Sequence, residues 1–183
     1  MKAMIVLGSR NPKGQTATAA DALAAGLASN GCEVEKAFLP HMRIERCRQC
    51  DDAGWGICRS EGRCVIEDDL AGLVEKLAAA DLAVFATPVY FGDLSESMRA
   101  FLDRLRRTCC HEAGKAKVAG KAAVGVCVAG GGGGGAPSCA SSLTKVLNTC
   151  GFEPADVVPM RRQNLEMKCE SLTATGKLLA SGT

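Results

Sequence analysis

Short apolar runs alternate with helix-length amphipathic segments along this chain. That alternation restricts it to a parallel sheet covered on both faces. The runs are Met4-Ile5-Val6-Leu7, a segment from Cys32 to Leu39 centred on Val34, Leu82 to Thr87, Ala122 to Ala129, and a weaker one near Ala155 to Met160. Between them, four segments carry apolar residues at helical spacing. Gln15 to Ser29 presents Ala20, Leu23, Ala24 and Leu27. A helix opening at Asp68-Asp69 presents Leu70, Leu73, Val74 and Leu77. One capped by Ser95 presents Met98, Phe101, Leu102 and Leu105, and one opening at Pro137-Ser138 presents Leu143, Val146, Leu147 and Cys150. The tail from Leu165 to Leu179 reads as a last helix. The fold expected is α/β: a three-layer αβα arrangement with a five-stranded, doubly wound sheet in the order 2-1-3-4-5.

A length of 183 residues suits one domain spanning 1–183. One stretch, about 40–66, has neither helical nor strand periodicity. A loop that long inside a compact domain is usually functional or disordered. The formal net charge of +2 and the 4% aromatic content give no basis for a nucleic-acid partner. No apolar stretch approaches a transmembrane length, and the N-terminal run is too short for a signal segment. Eleven cysteines without an export signal point to the reducing cytoplasm, where thiols serve metals, clusters or redox chemistry.

The first strand ends in Gly8-Ser9-Arg10-Asn11-Pro12-Lys13-Gly14-Gln15-Thr16, and a helix follows. A strand feeding a helix through such a turn leaves free N–H groups at a helix N-terminus, a ready phosphate site. It is not a nucleotide-triphosphate loop, because Gln15 stands where a lysine is needed, and two glycines fall short of the dinucleotide fingerprint. In the expected topology the turns after strands one, three and four meet at one edge. These are Gly8–Thr16, Pro88–Leu94 and Gly130–Gly135. The first offers phosphate donors. The second offers Tyr90, Phe91 and backbone amides. The third offers bare backbone that a planar ligand can approach closely. Together they describe a site for a mononucleotide with a large heterocycle, such as FMN.

Three stretches carry a resemblance: Gly8-Ser-Arg with Gly14-Gln-Thr16, Thr87-Pro-Val-Tyr-Phe-Gly-Asp-Leu-Ser95 with Phe101-Leu-Asp-Arg104, and the glycine run. Together, over roughly Met1 to Pro159, they resemble the NADPH-dependent FMN reductase family of flavodoxin-like proteins. Cys64-Val-Ile-Glu-Asp-Asp69 looks more specifically like its iron–sulfur flavoprotein branch. The resemblance implies noncovalent FMN, its phosphate on Ser9, Arg10, Gly14, Gln15 and Thr16, and its ring by Pro88, Val89, Tyr90, Phe91, Gly92, Gly130 and Gly131. Gln15 stands where the family commonly has a small hydroxyl residue. It also implies a homo-dimer or homo-tetramer.

Four of the cysteines are grouped as Cys47-x2-Cys50-x7-Cys58-x5-Cys64. Such grouping suits a four-thiolate site for [4Fe–4S] or zinc, and the alternative is a thiol-rich loop that covers the sheet edge. The iron–sulfur branch has a more compact run; here the spacer Asp51–Ile57 contains the only tryptophan, Trp55. A cluster held near the flavin is the expectation, with Cys32, Cys127 and Cys150 as small core residues. The activity expected is an FMN-dependent oxidoreductase. It would pass electrons from NAD(P)H or ferredoxin to a flavin, quinone or similar small-molecule acceptor. The alternative is a non-enzymatic FMN/iron–sulfur carrier that docks to partner proteins. The flavin carries the chemistry, so no side chain is assigned as catalytic. A phosphate-monoester hydrolase is disfavoured, because no cysteine has an arginine six positions on, and a receiver domain lacks its acids after strand one.

Overall fold

The computed structural model describes residues 1–182. Its elements in chain order are β1 (Lys2–Leu7), α1 (Gln15–Ser29), β2 (Glu33–Phe38), α2 (Ile57–Ser60), α3 (Leu70–Ala79), β3 (Leu82–Tyr90), β4 (Asp93–Leu94), α4 (Glu96–Cys109), α5 (Glu112–Lys115), β5 (Ala122–Ala129), α6 (Ala136–Cys150), β6 (Glu153–Arg161) and α7 (Leu165–Ala180). Five strands pair in parallel in the order β2-β1-β3-β5-β6, and the two-residue β4 pairs antiparallel with β3. Counting only the parallel strands, this is the expected 2-1-3-4-5.

The central strands are apolar on both faces because helices cover both. Met4, Val6, Phe85 and Cys127 face α3, α4 and α6; Ile5, Leu7, Val84 and Val126 face α1 and α7. The anticipated inner faces are buried: Leu23 and Leu27 of α1, Leu73 and Leu77 of α3, Phe101 and Leu105 of α4, and Leu143 and Leu147 of α6. Cys32, Cys127 and Cys150 are buried too. On the second face α1 and α7 meet at Gly26 and Gly176. A Cβ on either would collide with the backbone of the other helix, so the two axes come as close as glycine allows.

Two elements differ from expectation. β6 runs from Glu153, longer than the weak apolar run suggested, because its outer residues are exposed at the sheet edge. Asp68 and Asp69 do not simply cap α3. Asp68 Oδ1 accepts the Leu70 N–H at 3.2 Å, but its other oxygen accepts the Glu45 N–H at 2.9 Å, and Asp69 accepts the Arg43 N–H at 2.6 Å. These acids close the base of the irregular loop that follows β2. Among the described residues no helix is long and apolar enough to cross a membrane.

Candidate flavin site and cysteine pocket

The three turns converge as the topology requires, and serine hydroxyls join them. Ser95 Oγ and Ser97 Oγ both donate to the Gly8 carbonyl, at 3.0 and 3.1 Å. Ser95 N–H donates to Thr87 Oγ1 at 3.1 Å. A Cβ on Gly8 would lie 2.5 Å from Ser95 Oγ, so only glycine lets the first turn dock on the second. The third turn packs on the second at Gly135, whose added Cβ would meet Gly92 Cα at 2.5 Å, and Ser138 Oγ donates to the Gly92 carbonyl at 3.0 Å.

At the first turn, Asn11 shapes the backbone. Its side-chain oxygen accepts Lys13 N–H at 2.9 Å, and its carbonyl accepts Gly14 N–H at 3.1 Å. α1 then begins at Gln15 with extended Gly14 before it, no side-chain cap and no acid in its first turn. A fifteen-residue helix therefore presents uncapped N–H groups and its positive dipole end toward the turn. Thr16 is buried beside them, Ser9 is half-buried, and Arg10 is exposed at the rim.

The second turn is a two-residue hairpin. Tyr90 pairs with Asp93, and both Phe91 (φ 50°) and Gly92 (φ 77°) lie in the left-handed region, as a type I′ turn demands. A phenylalanine in that conformation is strained, a pattern that concentrates at functional sites. Its ring is fully exposed and Tyr90 is half-exposed, so neither is core. Pro88 and Val89 are half-buried beneath them. In the third turn a Cβ on Gly130 or Gly131 would meet nothing within 4 Å. That open space borders a run of backbone without side chains, the cradle a flat ring needs. The structure thus brings together Ser9, Gly14, Gln15, Thr16, Pro88, Val89, Tyr90, Phe91, Gly92, Gly130 and Gly131 around one strand edge. Arg10 reaches it only from outside.

The cysteines occupy a second place. Cys47, Cys50, Cys58 and Cys64 all line one small pocket of about 20 Å³, and all four are free thiols. Between the first two lies Gln49, whose φ of 52° is another left-handed non-glycine. The Asp51–Ile57 spacer then folds back: Gly54 N–H donates to the Asp51 carbonyl at 2.8 Å, and Gly56 lies against Cys50, 3.1 Å from an added Cβ to the Cys50 Cβ. This return brings Cys58, on α2, into the same pocket. Among the described residues no group of three or more His, Cys, Asp or Glu side chains is gathered closely enough for a single metal ion. A tetrahedral zinc at about 2.3 Å from each sulfur would need the four drawn together.

Arginines surround the pocket. Arg104 is 1% exposed, and its guanidinium makes a two-pronged pair with Asp68 at 2.5 and 3.0 Å and donates to the Glu45 carbonyl at 3.0 Å. Its Nε is buried with no partner, and Arg104 is among the residues lining the cysteine pocket. Burial pushes the Asp68 carboxyl up, but the Arg104 guanidinium and the Glu45 and Leu70 N–H groups outweigh it and hold it below the usual carboxylate range. Arg107 donates to the Gly54 carbonyl at 2.6 Å and lies over the Trp55 ring, 4.6 Å from its centroid; Arg59 lies at 5.8 Å. His111 packs edge-on to the same ring at 4.8 Å. From sequence, Asp68 reads only as a helix start and Arg104 only as part of the motif that carries the resemblance; neither they nor Arg107 is placed at the cysteines. The available signal is Arg104, a charged residue on the apolar stripe of α4.

The two sites are apart. Ser95 caps α4 at the flavin edge, whereas Arg104 and Thr108 line the cysteine pocket. At 1.5 Å per residue they lie roughly 14 to 20 Å further along that helix. The cysteines expected to hold a cluster near the flavin thus lie toward the other end of α4 from that edge.

A parallel sheet with an anion-ready helix N-terminus and an open glycine cradle at its switch point defines the class of mononucleotide-binding, flavodoxin-like proteins. Residues 1–161 match the family model of NADPH-dependent FMN reductase, and the chain belongs to that family of flavin oxidoreductases. An iron–sulfur flavoprotein of Methanocaldococcus jannaschii is 31% identical over 131 residues, covering 72% of this chain and 65% of that protein. One of Archaeoglobus fulgidus is 33% identical over 105 residues, covering 57% of this chain and 46% of that one. The matches span less than two thirds of either relative. An NAD(P)H:quinone oxidoreductase from Methanothermobacter marburgensis superposes with a TM-score of 0.71 at 20% identity, covering 98% of this chain and 96% of that one. An archaeal flavodoxin gives 0.61 at 14% identity, covering 99% of each chain. At such identities the likeness is one of fold.

Proposed function

We propose that this single-domain chain is an FMN-dependent oxidoreductase that takes electrons from NAD(P)H or a ferredoxin and passes them to a quinone, flavin or similar small acceptor. The observation that carries the reading is that the turn before the uncapped α1 N-terminus and the turn holding the open Gly130–Gly131 backbone are both fastened to the Thr87–Ser95 turn, through Gly8 and through Gly135. FMN supplies the redox chemistry when bound. The chain's part is placement. The N–H groups of Gln15 and Thr16, with the Ser9 and Thr16 hydroxyls and Arg10, hold the phosphate. Pro88, Val89 and Tyr90, with the backbone of Gly92, Gly130 and Gly131, flank the ring. The strained Phe91 stands at its border.

Replacing Ser9 and Thr16 together by alanine should weaken FMN binding by about 0.5–1.5 kcal/mol for each neutral hydrogen bond lost. Fluorescence titration of FMN against the apoprotein reads this, and unchanged affinity would remove the phosphate assignment.

The cysteine pocket supports a second part of the reading. Cys47, Cys50, Cys58 and Cys64 would hold one [4Fe–4S] cluster, whose thiolate-ligated form is anionic and would suit the surrounding Arg104, Arg107 and Arg59. The present void has room for about one water, so the loop would open around a cluster. The loop from 42 to 56 has no regular structure to resist that. If the chain carries both centres but oxidises no NAD(P)H without a partner protein, it is a carrier and not a reductase. Anaerobic purification and reconstitution, followed by FMN, iron and sulfide assays and NAD(P)H oxidation, decide among these. Four irons per chain are expected; near-zero iron with FMN present would leave a flavin reductase with a thiol-rich cover loop. The cytoplasm and a dimeric or tetrameric assembly complete the proposal.

A further inference from the structure

Beside the cysteine pocket, and away from the flavin edge, a larger groove of about 540 Å³ runs along α3. Its size is within the roughly 300–1,000 Å³ of small-molecule sites. The floor is apolar, made by Ile66, Leu70 and Val74. Cys64, Ile66 and Thr108 line both this groove and the cysteine pocket, so the Cys64 residue is a wall of each. The rim is polar but nearly balanced. Arg63 pairs with Glu61 at 2.7 Å, and Asp68 is neutralised by Arg104. Glu67 and Glu75 remain against Lys117, whose ammonium donates to the Gly62 carbonyl at 2.6 Å.

We propose that this groove binds a neutral, planar, apolar molecule of the quinone class, seated against Cys64. The balance of charge selects it. A phosphate-bearing dinucleotide would meet a rim with one more carboxylate than cation, whereas a quinone brings no charge, an apolar ring for the floor and two carbonyl oxygens for Lys117 and solvent at the rim. The binding claim stands on the groove alone. Its redox meaning rests on the reading that Cys64 ligates a cluster. In that case the quinone would be the acceptor of two electrons and two protons, reduced FMN would be their source, and Cys64 would stand between the groove and the group it helps to hold. Because Cys64 lines both the groove and the cysteine pocket, an acceptor seated in the groove would lie beside that pocket without entering the flavin edge.

Equilibrium dialysis of the anaerobically purified full chain with tetramethyl-1,4-benzoquinone tests this. Its ring carbons are all substituted, so the free thiols do not add to it. Ala71, exposed on α3 and part of the groove lining, tolerates a charged side chain without touching the core. Ala71→Glu should raise the quinone dissociation constant at least tenfold, with FMN content, iron content and melting temperature unchanged. Gly131→Val, at the flavin edge, should leave one quinone bound per chain. Quenching of Trp55, which lines the neighbouring pocket, gives an independent readout and should be lost in Ala71→Glu. If that variant fails to fold, Ala78→Glu at the far end of the groove replaces it. Unaltered binding in the groove variant, or binding that disappears entirely with Gly131→Val, would overturn the proposal. If the reconstituted protein holds FMN but no iron, groove-dependent binding keeps the site and only the cluster reading falls.

Discussion

Asp68→Ala is expected to destabilise the chain by about 3–5 kcal/mol, because it leaves the guanidinium of Arg104 buried without its counter-charge. At about 2–4 °C per kcal/mol for a domain of this size, the melting temperature should fall by roughly 6–20 °C. The carboxylate also accepts the Glu45 and Leu70 N–H groups, so the cysteine loop should detach at its base. Limited proteolysis should then cut within residues 43–67 well before the sheet. Replacing both partners, Asp68→Leu with Arg104→Met, should recover much of the loss, since the cost comes mainly from the orphaned charge. Acid should act like the single variant. The folded carboxyl titrates below its unfolded value, so its stabilisation is present in full above the unfolded carboxylate range. It is lost as pH falls through the lower, folded value. A melting temperature within two or three degrees of the parent for Asp68→Ala would show that the pair does not hold the loop.

Gly131→Val should lower FMN affinity by more than tenfold, at least about 1.4 kcal/mol, while the apoprotein melts as the parent does. A Cβ there meets nothing within 4 Å, so any loss must come from the ligand's side. Gly135→Val is the contrast. Its Cβ would lie 2.5 Å from Gly92 Cα, and both stability and FMN binding should suffer. FMN titration with thermal melts on both variants separates a ring contact from a packing contact. Full FMN occupancy in Gly131→Val would take this loop away from the ring.

Why these positions differed in legibility is a matter of range. The strand and helix periods of β1, α1, α3, β3 and α4 are local signals. Each residue faces the core or solvent according to neighbours two to four positions away. The convergence of the three turns followed from topology once the alternation was read. The ties that fix the turns did not. Ser95 and Ser97 reach the Gly8 carbonyl across almost ninety residues, and Asp68 meets Arg104 across thirty-six. Taken alone, an aspartate before a helix looks like an ordinary cap, and nothing in its neighbours tells that it is wholly buried. The positive φ of Phe91 and Gln49 is hidden for the same reason: both residues carry side chains that normally avoid it, and only the surrounding packing imposes it. The spacing of the four cysteines was plain, but their meeting in one pocket depended on the folding back of Asp51–Ile57.

The glycine-to-glycine seam between α1 and α7 means that the family's boundary and the folding boundary do not coincide. The family match ends at residue 161, yet α7, Leu165–Ala180, is the outer wall against which α1 rests. Because α1 carries the phosphate-ready N-terminus, the aim of that helix depends on a segment outside the shared family sequence. Variation in this C-terminal helix can therefore redirect that N-terminus without altering any residue of the turn before it.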